Sequence, residues 1–217
     1  MTDRPSTADD ERAADEDVKD LHKGALTNIA GQVARVAQPV LLLGAARLYG
    51  PSEWGLFVAG QAALQILSKG SLLGLERGML FWIPRATNTG ASLAIRVSAM
   101  RVAAAAVTLS VLAALAIPFL AARSGVSPTT WFLMGLGLCP LAVMELLVHA
   151  TVGRRRMDVQ VAVRDVLVPL ATLGVAILFK LLGAGAWGLG AASAIGTTIG
   201  FAFALRACIQ IFGAPAI

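Results

Sequence analysis

Apolar residues run through this chain in long, nearly unbroken stretches separated by short polar or Gly/Pro/Ser-rich breaks. A helix needs about 20 mostly apolar residues to cross a bilayer, and six stretches reach that length: 26–48, 54–78, 93–122, 130–152, 164–182 and 186–208. They lack the period-2 alternation of barrel strands, and helices are the other structure that satisfies its own backbone in lipid. The pattern predicts an all-α membrane protein, a bundle of about six transmembrane helices over 24–217. Residues 1–23 are polar and acidic and read as a disordered cytoplasmic tail. The apolar helix expected after them has no small-residue cleavage signal, so a removed signal peptide is not expected.

Composition agrees with this and adds direction. The chain is 57% hydrophobic and 14% charged, with a mean hydropathy of +0.73, whereas soluble domains carry charge on about a quarter of their residues. The net charge of +5 hides two opposed parts, because residues 1–23 hold eight acids against four bases and residues 24–217 hold five acids against fourteen bases. The bases gather around the even-numbered connections: Arg85, Arg96 and Arg101 near the second, and Arg154, Arg155, Arg156 and Arg164 near the fourth. Arg47, Arg123 and Lys180 stand almost alone near the odd-numbered ones. Lys and Arg are retained on the cytoplasmic side, which predicts a multi-pass protein of a bacterial inner membrane with both termini cytoplasmic. Trp54, Trp131 and Trp187 then begin the second, fourth and sixth spans at the outer interface, where amphipathic rings are favoured. Membrane lipid is the expected surrounding partner. No soluble segment carries a basic stripe interleaved with aromatics, so nucleic acid is not expected. Cys139 and Cys208 lie within apolar runs, where free cysteine acts as a small hydrophobe. No disulfide, metal site or cofactor is expected.

The chain also contains an internal repeat. Arg47-Leu48-Tyr49-Gly50-Pro51-Ser52-Glu53-Trp54-Gly55-Leu56 aligns without gaps on Lys180-Leu181-Leu182-Gly183-Ala184-Gly185-Ala186-Trp187-Gly188-Leu189. Each copy joins an outgoing to a returning helix, which predicts that hairpins one-two and five-six are the same unit. Chance similarity of common residues is the competing explanation. Small residues at Gly70, Gly74 and Gly78, and at Gly188, Ala192, Gly196 and Gly200, recur every four positions and predict close-packing helix faces.

Polar residues inside the spans carry the candidate chemistry, because such groups are costly in lipid and face a bundle interior, a water-filled path or a partner. In the first span Asn28, Gln32, Arg35 and Gln38 follow at steps of three or four, on one face. Gln61, Gln65, Lys69 and Glu76 make a second stripe in the second span. Two readings stand. The stripes line a hydrophilic cavity whose Arg35 and Lys69 receive an anionic head group, or Arg35 pairs with Glu76 or Glu145 while the glutamines bond across helices. Glu145 and His149, one turn apart, form a candidate proton-coupling pair or an interfacial anchor. Arg164 and Asp165 open the fifth span, where Asp165 suits the helix dipole alone. Residues 153–163 mix bases with spaced apolar residues, as an interfacial stretch on an anionic leaflet would.

Leu48-Tyr49-Gly50-Pro51-Ser52-Glu53-Trp54-Gly55-Leu56-Phe57 resembles the first outer loop of polysaccharide biosynthesis proteins, the lipid-linked oligosaccharide flippases of the multidrug/oligosaccharidyl-lipid/polysaccharide exporter superfamily. Gly74-Leu75-Glu76-Arg77-Gly78 with Ile83-Pro84-Arg85 is similar to that family's end of helix two, and the arginine-rich fourth loop and the second Trp-Gly-Leu also match. The resemblance covers 24–208. It implies a two-lobed fold around a central cavity that carries an undecaprenyl-pyrophosphate-linked glycan to the outer leaflet by alternating access. Family members have twelve to fourteen helices, so this chain resembles the amino-terminal lobe. A second six-helix lobe or another copy of the chain is the partner this implies.

Transport of such a lipid-linked glycan, for polysaccharide or lipopolysaccharide biosynthesis, is therefore the expected function, and no catalytic residue is expected. The alternatives are a membrane-embedded enzyme of envelope glycan assembly and a non-transporting scaffold. Glu145, His149, Asp158 and Asp165 are scattered in sequence and lack the clustered carboxylate or histidine spacing of an enzyme site.

Overall fold

The computed structural model describes residues 46–124 and 128–213, together with Ile29, Gln32 and Leu43. Among these residues no strand occurs, and the elements are α1 (Pro51–Leu72), α2 (Leu75–Trp82) with a 3-10 turn (Ile83–Arg85), α3 (Asn88–Ser124), α4 (Pro128–Leu136), α5 (Leu138–Gly153), α6 (Met157–Gln160), a π segment (Val161–Leu167), α7 (Val168–Leu181) and α8 (Ala186–Phe212). Four helices are long and apolar enough to cross a membrane: Asn88–Ala116, Pro128–Gly153, Met157–Leu181 and Ala186–Phe212. The pair Pro51–Leu72 and Leu75–Arg85 makes a fifth if read as one bent span. The described residues are thus all-helical, and their long apolar helices mark a multi-pass membrane protein. The first predicted span, 26–48, falls almost wholly outside the described residues, as does the tail.

The second span is not the single helix that its apolar run suggests. Leu73 (φ 46°) and Gly74 (φ 80°) both adopt the left-handed conformation, and the chain bends there by 55°. Glycine takes this conformation without steric cost, whereas leucine does not. Packing holds the bent limb in place: a Cβ on Gly153 would stand 2.9 Å from Ile83 Cβ and 3.3 Å from the Met79 carbonyl. Gly153 therefore lets the limb lie directly on the end of α5. Ile83 is 1% exposed there.

Residues 157–163 begin the fifth span instead of forming a separate interfacial stretch, and a π segment follows over Val161–Leu167. Pro169 supplies a cause, because a proline clashes with the carbonyl four residues back, here that of Asp165, and cannot donate to it. Widening the helix just before the proline relieves that conflict.

The glycines divide by role. On α8, added Cβ atoms would meet Phe179 Cβ at 3.0 Å from Gly188, the Thr172 backbone nitrogen at 3.0 Å from Gly196 and Met144 Sδ at 2.7 Å from Gly200. That stripe packs α8 against α5 and α7 as expected. The Gly70/Gly74/Gly78 series does not, since Cβ atoms at Gly74 and Gly78 would meet nothing within 4 Å. Gly60 makes the close approach of α1 instead, with Met134 Cε 2.7 Å from its Cβ position.

The connections sort to two ends of the bundle. Arg154 Nη2 donates to the Ala86 carbonyl at 3.2 Å and to Asn88 Oδ1 at 2.8 Å, and its guanidinium lies 5.6 Å from the Phe212 ring. Both arginine-rich connections and the end of α8 therefore meet. At the other end the two repeat copies touch: Tyr49 donates to the Ala176 carbonyl at 2.5 Å, and Lys180 Nζ lies 4.8 Å from the Tyr49 ring. The aligned glycines Gly50 (φ 91°) and Gly183 (φ 77°) both have positive φ, so the copies share backbone as well as sequence at that position.

Candidate functional site

Three turns of α1 present Gln61, Gln65 and Lys69 at steps of four, and all three open onto one cavity of about 770 Å³ between α1, α5, the π segment with α7, and α8. The opposite wall carries polar groups among apolar ones such as Val168, Leu173 and Leu189. Arg164 and Asp165 come from the π segment, Thr172 from α7, and Ser193 and Thr197 from α8. Gln61 Nε2 donates to Ser193 Oγ at 2.5 Å, tying two walls together. These amides, hydroxyls and charges interrupt an otherwise apolar lining that includes Trp54, Phe57, Met144 and Leu189, so the cavity is amphipathic.

Glu145 anchors the charged end. Its side chain is only 9% exposed and accepts from both sides: Lys69 Nζ reaches Oε2 at 3.3 Å and Arg164 Nε reaches Oε1 at 3.3 Å. Lys69 also bonds Glu76 Oε2 at 2.5 Å. Glu76 is not on the cavity wall, and the bend at Leu73–Gly74 brings it back toward Lys69 from α2. His149 Nδ1 lies 2.7 Å from the backbone carbonyl of Glu145. A carbonyl only accepts, so this nitrogen carries the proton. A His149 ring nitrogen and one oxygen each of Glu76 and Glu145 lie within 4.8 Å of one another.

The predicted residues therefore separate. Gln61, Gln65 and Lys69 share the wall, while Glu76, Glu145 and His149 gather at its charged end. Gln32 is helical and exposed. Asn28, Arg35 and Gln38 lie outside the described residues, and with them the proposed pairing of Arg35. Among the described residues Lys69 and Arg164 pair with Glu76 and Glu145, and Asp165 lines the same cavity, so there is no excess of positive charge here.

Arg164 and Asp165 belong to the site, although their place at the expected start of the fifth span offered little reason to put them there. The signal that locates them is Pro169, four residues after Asp165, which marks a helix irregularity. The meeting of Glu76 with Glu145 and His149 had no sequence signal, because 69 residues separate Glu76 from Glu145 and only the bend brings them together. Ser68 lines the cavity too. It is 2% exposed and its Oγ has no partner among the described residues. Ser71, Thr108, Thr151 and Thr197 instead satisfy their hydroxyls on their own helices.

At the far end, Tyr49 is 6% exposed. Burial, with Glu53 nearby, pushes its phenol above the ordinary range, which keeps it a donor to Ala176. Comparison with protein-family models, with curated proteins and with solved structures finds no match to this chain.

Proposed function

We propose that this chain is a transporter lobe that moves an undecaprenyl-pyrophosphate-linked glycan across a bacterial inner membrane, with both termini cytoplasmic and with a second six-helix lobe or another copy completing the path. The observation that supports this reading is the open cavity of about 770 Å³ among apolar helices, whose largely apolar lining carries a band of polar and charged side chains, as an amphipathic lipid-linked substrate would require. The elements around it favour movement over a fixed scaffold. Transporter sites are commonly flanked by interrupted helices, and here a 55° break follows Lys69 while a π segment bears Arg164. Lys69 and Arg164 offer charge-assisted donors for the diphosphate, and the amides and hydroxyls of Gln61, Gln65 and Ser193 suit sugar hydroxyls.

The test is replacement of Arg164 by Ala in the producing cell, with surface glycan and protein level both measured. A fall in surface glycan of about tenfold at normal protein level is expected, equivalent to about 1.4 kcal/mol of lost interaction. Unchanged export would remove the cavity wall from the mechanism. A second reading, a membrane-embedded enzyme acting on prenyl-phosphate sugars, draws on the gathering of Glu76, Glu145 and His149. It predicts product formation when the purified chain is incubated with such a lipid, and the transporter reading predicts none.

A further inference from the structure

The charged end of the cavity holds two carboxylates and an imidazole from two helices that only the break in the second span brings together. We propose that Glu76, Glu145 and His149 bind a divalent transition-metal ion, which takes the place that the Lys69 ammonium holds between the two carboxylates.

The ligand chemistry is that of a mixed oxygen and nitrogen site. Two carboxylates and one neutral imidazole suit zinc and its neighbours, with water or a further group completing the coordination. The three donor atoms lie within 4.8 Å of one another, close enough for modest side-chain adjustment to converge on one ion. His149 is already in the tautomer such a site requires. With its Nδ1 proton donated to the Glu145 carbonyl at 2.7 Å, the lone pair of the neutral ring resides on Nε2. A backbone carbonyl on the other ring nitrogen is the usual outer support of a metal-bound histidine.

Lys69 shows that the position attracts a cation, because its Nζ bridges Oε2 of Glu76 at 2.5 Å and Oε2 of Glu145 at 3.3 Å. Its side chain is 47% exposed and lines the cavity. The long stem thus has room to swing into the cavity and take its charge with it. Arg164 remains on the other oxygen of Glu145 and fixes that carboxylate. Metal occupancy would then set where the Lys69 charge resides, independently of what the cavity carries.

The full chain, purified in detergent, tests this by calorimetric titration with zinc ion alone. One zinc per chain is expected. Glu76→Gln and His149→Gln should each weaken binding by about tenfold or more. Lys69→Met should tighten it, because the competing ammonium is gone, and a misfolded variant cannot produce that gain. Absence of stoichiometric binding, affinity indifferent to Glu76→Gln and His149→Gln, or no tightening in Lys69→Met would each overturn the site.

Discussion

Glu145 is the residue on which most of the described electrostatics converge. Its carboxylate is 9% exposed and each oxygen faces a different cation, Lys69 or Arg164. The two cations are 47% and 41% exposed, so water takes up part of their charge when the buried carboxylate is removed. Glu145→Ala is expected to lower stability by about 1 kcal/mol, read as a drop in the unfolding midpoint of the detergent-solubilised protein. An unchanged midpoint would mean that water already compensates both cations. Gln61, Gln65 and Lys69 were legible in the sequence because a four-residue step on a helix fixes one face whatever the helix packs against. Arg164 was not. The fifth span starts at Met157 rather than 164, so an arginine assigned to the interface lies two turns inside the helix and turns toward Glu145.

The interrupted second span is where hydropathy failed at the level of elements. A window over 54–78 sees an apolar run with Gly74 inside it, and glycine is tolerated within membrane helices, so nothing local separates a packed helix from a broken one. Tertiary contact decides, through the seat that Gly153 gives to Ile83. Gly74→Ala isolates the backbone contribution, since a Cβ there would meet nothing within 4 Å while φ remains at 80°. Stability should fall by about 1 kcal/mol. A loss near zero, measured by the same unfolding midpoint, would indicate that the break straightens readily. The small-residue series on α8 was legible for the opposite reason, because close crossing of two helices demands small side chains at regular steps.

At the scale of the molecule, alternation of arginine-rich and arginine-poor connections anticipated which connections share an end. The contacts of Arg154 with Ala86, Asn88 and Phe212 join one set, and those of Tyr49 with Ala176 and Lys180 join the other. The proposed orientation of these ends can be checked in a chain whose Cys139 and Cys208 are replaced by alanine. A cysteine at Ser52 should react with an impermeant reagent added to intact cells, and one at Arg155 only after permeabilisation. The reverse result would invert the topology. The repeat was visible because its Trp-Gly-Leu triplets survive in both copies, whereas their mutual contact was not, as sequence similarity says nothing about which surfaces meet. That contact has a mechanical consequence. Tyr49 precedes α1 and Ala176 lies on α7, so any opening of the cavity that kept this bond would hold α1 and α7 together at that end. In such an opening separation would be smallest at the tyrosine and greatest at Lys69 and Arg164, where the ion pairs through Glu145 would have to break.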